Sequence, residues 1–212
     1  MKVNHKKAKD QSFNFSMNFR YLPQITHENE PLEVVNSTRL LGVVFQSNCK
    51  WDDHVKTMIQ KANQKMWSLR RLKSQGASRA TLIELYNLMI KQALEFAAPL
   101  WTFGLSQRNK SDLERIQSKV TNLIIGENQL SYPERLNELN LDFLEDRRIS
   151  LARSCSDKMV RDKRFQFLFP KKQYKSTRSK DKYIIPVCRT NRLKNSSIPK
   201  FIEYQNKKQQ QA

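Results

Sequence analysis

Apolar positions in this chain switch period near residue 50, and that switch divides it. Before it, Ser12-Phe13-Asn14-Phe15-Ser16 alternates polar and aromatic residues, the pattern of a half-buried strand. Leu32-Glu33-Val34-Val35 and Arg39 to Phe45 are β-branched and apolar, separated by Asn36-Ser37-Thr38. They predict a hairpin, with Gly42 as a bulge or a point of close approach. After residue 50 the spacing becomes helical. A first helix is expected from Asp52, a good N-cap, with Val55, Ile59, Ala62, Met66, Leu69 and Leu72 on one face and Gly76 as its stop. A second starts after Ser78, with Leu82, Leu85, Met89, Ala93 and Phe96 on its buried side and Pro99 ending or kinking it. A third runs from Ser106 to Ile125 and stops at Gly126, its stripe Leu113, Ile116, Val120 and Leu123. Ser131 with Pro133 and Glu134 opens a short fourth, and Asp142-Phe-Leu-Glu145 opens a fifth that reaches Arg161. Residues 170–182 have no periodicity and read as a mobile basic linker. Tyr183 to Val187 reads as a short strand, and Ser197 with Pro199 opens a last short helix. The expected fold is mainly α with a small N-terminal β element, in three parts: 1–50, 51–162 and a basic, partly disordered tail, 163–212.

Charge sharpens this division. The 212 residues carry 39 Lys plus Arg against 20 Asp plus Glu, a net +19. Residues 151–212 alone hold 17 basic and 4 acidic side chains. A near-neutral core with a strongly basic end points to a polyanionic partner, nucleic acid first. The run has no matching apolar face, which argues against a membrane surface. Only 4 glycines occur, which excludes glycine-rich phosphate loops and dinucleotide fingerprints. Three widely spaced cysteines, Cys49, Cys155 and Cys188, predict neither a disulfide framework nor a zinc site, and an intracellular, reducing setting is the expectation.

No catalytic constellation stands out. His5 and His27 lie in polar stretches without ligand-like spacing. Asp52, Asp53 and His54 could ligate a metal, but consecutive residues point in different directions around a helix, and acids in a first turn suit the helix dipole. Glu145-Asp146-Arg147-Arg148 reads as a salt-bridged exposed face. Trp67 and Trp101 both sit beside apolar stripes and are expected in the core.

The order of several segments carries more than any one of them. These are Asn4-x-Lys6-Lys7-Ala8-Lys9, Pro31-Leu-Glu-Val-Val35 with Thr38-Arg-Leu-Leu-Gly-Val43, and Lys50-Trp51-x-x-His54-Val55. Then come Lys61-Ala-Asn63, Leu69-Arg-Arg-Leu72, Glu95-x-Ala97-x-Pro99-Leu-Trp101, Leu113-Glu-Arg-Ile-Gln117 and Ile124-Ile-Gly126. Leu139-x-Leu141-x-x-Leu144-Glu-Asp-Arg-Arg148 and Arg192-Leu-Lys-Asn-Ser-Ser-Ile-Pro199 close the set. The series resembles the reverse transcriptases of non-LTR (LINE-type, jockey-like) retrotransposons, almost from end to end. The resemblance implies that the first stretch follows the catalytic strand of the palm. It makes Leu40, Leu41 and Gly42 a primer-grip-like hairpin and the following helices a thumb-like bundle on the template–primer duplex. The family's Tyr/Phe-x-Asp-Asp pair does not occur in these residues, and Ala8 stands where the family has Thr.

From this the expected function is nucleic-acid binding by a reverse transcriptase fragment that is inactive alone. Two alternatives stand beside it: a piece of a longer active reading frame, and a domesticated basic module that binds RNA or protein. The candidate contacts are Lys6, Lys7, Lys9, Lys61, Lys65, Arg70, Arg71 and Lys73. No catalytic or metal-binding residue is assigned, and no cofactor; an intact enzyme of the family would use Mg²⁺. In such an enzyme Lys7 or Lys9 would be placed to protonate the leaving pyrophosphate. The expected partners are RNA or DNA template–primer, without sequence preference, and the palm and fingers half of the polymerase. The nucleus is the candidate compartment, and no membrane is expected.

Overall fold

A computed structural model of the chain describes residues 8–13, 23–27, 29–126, 129–172 and 182–210. Most of these are helical, with a few short strands near the N-terminus. The chain divides into two compact units, Met1–Thr57 and Met58–Ala212.

The first unit holds β1 (Lys9–Asp10), β2 (Thr26–His27), β3 (Glu30–Pro31), β4 (Glu33–Val34), β5 (Ser37–Leu40) and β6 (Val43–Gln46). β1 pairs in parallel with β4, β2 antiparallel with β3, and β5 antiparallel with β6. The hairpin is therefore one step later than the apolar runs suggest. Ser37 and Thr38 lie inside β5, and the turn is Leu41-Gly42, flanked by the pair Leu40 and Val43. Gly42 serves the turn rather than a bulge. Of the alternating segment 12–16, residues 12 and 13 are in no strand and 14–16 lie outside the described residues.

The first helix, α1 (Asp52–Ser74), begins in this unit with Asp52 and Asp53 in its first turn, where acids favour the helix dipole. An orphan first-turn donor, Asp53 N–H, is taken by Gln46 Oε1 at 3.1 Å. His54 is 1% exposed and its Nδ1 accepts from Val44 N–H at 3.3 Å. It stitches β6 to the helix start, which assigns it to structure. Among the described residues no group of three or more His, Cys, Asp or Glu could hold a metal ion.

The second unit continues α1 and adds α2 (Arg79–Leu85), a π-helical segment (Tyr86–Lys91), α3 (Gln92–Glu95), α4 (Ala98–Trp101), a 3₁₀ turn (Thr102–Gly104) and α5 (Gln107–Ile125). Then follow α6 (Tyr132–Glu138), α7 (Leu144–Arg161), a second 3₁₀ segment (Lys163–Leu168), α8 (Asn191–Lys194) and α9 (Ser197–Gln210). Local signals set many of these ends. Ser78 and Ser106 accept from Thr81 N–H and Asn109 N–H, and Ser131 with Glu134 forms a capping box. Gly126 closes α5 at φ 81°.

The π segment changes the buried face between Leu82 and Ala98. Leu82, Tyr86, Ile90, Leu94 and Ala98 are buried, four residues apart each time. Widened turns shift the spacing above the α-helical 3.6. Leu85, Met89 and Ala93 move to the flank, and Phe96 is exposed. Ala97 takes φ 52°, which ends α3, and Pro99 then sits in the first turn of α4 rather than terminating a helix.

The expected tail is largely part of the fold. α7 packs against α4, α5 and α9. Phe169, Tyr183, Phe201 and Ile202 are buried with Ala152 of α7 in one cluster, joined by Phe103, Met159, Leu168 and Ile198. Tyr183 is in no continuous strand. It makes a single bridge to Lys171, and Asn206 of α9 both accepts from its N–H and donates to its C=O, each at 3.0 Å. One asparagine side chain thus supplies the pairing that a neighbouring strand would. Residues 173–181 of the expected linker lie outside the described residues.

Candidate nucleic-acid interface

The second half of α1 carries the main candidate surface. Its inward face is Met58, Ala62, Met66 and Leu69, each at most 2% exposed. One position beyond Met66, about 100° around the helix, stands Trp67, 59% exposed. The expectation that Trp67 joins the core does not hold, because it lies beside the apolar stripe and not on it. Trp101, by contrast, is fully buried.

Arg71, one turn after Trp67, places its guanidinium 5.5 Å from the Trp67 ring centroid. Such stacking leaves arginine N–H groups available for phosphate. Arg70 beside it is exposed and contacts only Met66 Sδ at 3.5 Å among the described residues. Lys61, nine residues before Arg70 and on the opposite side of the helix from it, is half-buried and makes no ion pair among them. An exposed tryptophan beside cations is a platform for base stacking and phosphate neutralisation.

The other candidates divide differently. Lys65 donates to Met89 O at 3.0 Å, a carbonyl of the π segment. Lys73 donates to Leu123 O in the last turn of α5, where a cation also suits the helix dipole. Both are drawn into structure by tertiary contacts that sequence spacing does not reveal. Lys9 pairs with Glu33 across β1 and β4 at 3.3 Å, on the surface. Lys6 and Lys7 lie outside the described residues.

In the first unit, Leu40 is 60% and Leu41 89% exposed at the hairpin tip. Leu41 has φ 48° and Gly42 φ 89°, the pair of positive angles of a type I′ turn. Glycine adopts this freely, but leucine in the left-handed region costs about 1–2 kcal/mol. An exposed leucine held in a strained turn contributes nothing to the core. Leu41→Asn, which suits this turn, is therefore expected to stabilise the β5–β6 ladder by about 1 kcal/mol in native-state hydrogen exchange. Unchanged or lower protection would show that Leu41 makes a stabilising contact of its own.

A polar framework lies deeper in the second unit, and it gathers residues from separate sequence segments. Glu95 is held by Arg147 through Nε–Oε1 and Nη2–Oε2 contacts of 2.6 and 3.2 Å. Glu114 accepts from Tyr132 Oη at 2.6 Å and from the Glu145 N–H at 2.8 Å, which satisfies an orphan donor at the start of α7. Arg148, expected on an exposed face, is 1% exposed and stacks 5.8 Å from the Trp101 ring centroid. Burial pushes its guanidinium below the ordinary arginine value, against the pull of Glu114, Glu145 and Glu95. Charge runs in sequence read as solvated, and only the packing of α7 on α4 and α5 draws Arg148 inside.

No family model, no curated protein and no solved structure matches the chain. Among the described residues, no helix is long and apolar enough to cross a membrane.

Proposed function

We propose that the chain is a nucleic-acid-binding part of a non-LTR-type reverse transcriptase, in which residues from α1 onward act as a thumb-like bundle on a template–primer duplex. The observation that carries this reading is the exposed Trp67, stacked with Arg71 and next to Arg70, on an otherwise core-forming helix. The net charge of +19 supports it, since counterion release drives sequence-independent binding. The ordered motifs resembling that polymerase family supply the specific class of partner.

In this reading Leu40, Leu41 and Gly42 form the primer-grip-like tip. Exposed Ile25, Val34, Leu40 and Leu41 of the first unit fit apolar contact with a larger polymerase body. Chemistry then depends on carboxylates and Mg²⁺ held by that body. These residues contribute grip and positioning, and the nucleus is the compartment the reading assigns.

Fluorescence anisotropy with a labelled primer–template duplex tests the reading. The full chain is expected to bind RNA–DNA and DNA–DNA duplexes of unrelated sequence with similar affinity, and to incorporate no nucleotide with Mg²⁺ present. Absence of binding at low salt would overturn it, and tight binding of one protein partner instead would favour a domesticated interaction module.

A further inference from the structure

A cleft of about 210 Å³ in the second unit is lined by Thr102, Phe103, Lys110, Glu145, Arg148, Ile149, Asn195 and Lys200. Two of these residues bear on what it holds. Arg148 is 1% exposed, yet its Nε and Nη1 donors have no hydrogen-bond partner among the described residues. Thr102 is 5% exposed, and its Oγ1 is likewise without one. Buried donors left unpaired cost free energy, more so on a charged group. Both residues line the same cleft.

The remaining groups define the chemistry. Lys110 is paired with Glu145 at 2.6 Å, and Lys200 with Glu203 at 2.9 Å. The ionised side chains lining the cleft are three cations and one carboxylate. Glu114 also acts on Arg148, but it does not line the cleft and already accepts from Tyr132 and the Glu145 backbone. Glu145, held by Lys110, leaves the two Arg148 donors free for another acceptor. Nε–H and Nη1 lie on different edges of the guanidinium, so each offers a single charge-assisted donor to an oxyanion oxygen. The volume suits a phosphate group and falls below the ~300 Å³ at which ligand pockets for larger molecules begin.

We infer that this cleft is a phosphate-binding site, in which Arg148 and Thr102 donate to the oxyanion and Lys200 and Asn195 complete the lining. The site is independent of the α1 surface. A phosphate group reaches it either as a free small phosphate or as the terminal phosphate of a nucleic-acid strand.

Isothermal titration calorimetry of the full chain with inorganic phosphate, against chloride at equal ionic strength, tests this. Saturable binding at a single site is expected. Thr102→Val keeps size and shape, removes an unpaired hydroxyl and should fold normally; it is expected to weaken phosphate binding about tenfold. Arg148→Lys should weaken it further by losing the planar guanidinium donors, and Lys207→Ala, on the exposed end of α9, should leave it unchanged. If Arg148→Lys does not fold, Thr102→Val decides alone. No saturable binding over chloride, or equal affinity in Thr102→Val, overturns the site. Competition with 5′-phosphorylated and 5′-hydroxyl oligonucleotides separates the sources. Displacement by the phosphorylated strand alone supports the nucleic-acid terminus, and displacement by neither supports a free small phosphate.

Discussion

Phe201→Ala is expected to cost the second unit about 3–5 kcal/mol, the usual range for emptying a buried aromatic site. Phe201 is 3% exposed, meets Phe103 edge-on at 6.2 Å, and shares the cluster of Ala152, Phe169, Tyr183 and Ile202. The helix that carries it is tied down by further contacts. Gln205 donates to Ser156 Oγ and Asp157 Oδ1 at 2.9 and 2.7 Å, and Ser197 Oγ donates to Leu100 O at 2.6 Å. A loss of this size is a large share of ordinary domain stability and should lower the melting temperature by roughly 10 °C or more. A change within about 2 °C would show that α9 is the detachable tail its sequence suggests.

The second large effect concerns binding. Replacing Lys61, Arg70 and Arg71 together by glutamine should reduce the slope of log affinity against log salt on B-DNA by about 2.7, or about 0.9 for each phosphate no longer neutralised. Trp67→Ala should weaken binding by about 1–3 kcal/mol per stacked base without changing that slope. The two variants separate charge from stacking on one helix. An unchanged slope in the triple variant would move the phosphate-neutralising surface elsewhere, with the basic residues of 151–212 next in order. Lys65 and Lys73 are left out because their ammonium groups hold Met89 O and Leu123 O.

What the sequence shows depends on whether the deciding interaction is local. The caps at Ser78, Ser106 and Ser131, the stop at Gly126 and the Val55, Ala62, Met66 and Leu69 positions of the α1 stripe are legible, because each is settled within one or two helical turns; Met58 is buried where the spacing predicts Ile59, and Leu72 is only half-buried. The face of residues 82–98 is not, since the π turn that rotates it leaves no mark on the period read from the amino acids. α9 is longer than its apolar residues suggest because Gln205 and Asn206 occupy its buried face. Their value lies in the side chain of Ser156 and the backbone of Tyr183, about fifty and twenty-three positions away. Arg148 and Trp67 exchange their expected places for the same reason: tertiary packing decides which charge is enclosed and which ring is left outside.

Photo-crosslinking of the full chain to a duplex bearing 5-iodouracil, followed by peptide mapping, tests the central claim most directly. The main adduct is predicted to fall on Trp67, to be lost in Trp67→Ala, and to fade as salt is raised. Adducts confined to other peptides, or identical in the presence of excess unlabelled duplex, would contradict a nucleic-acid interface on α1.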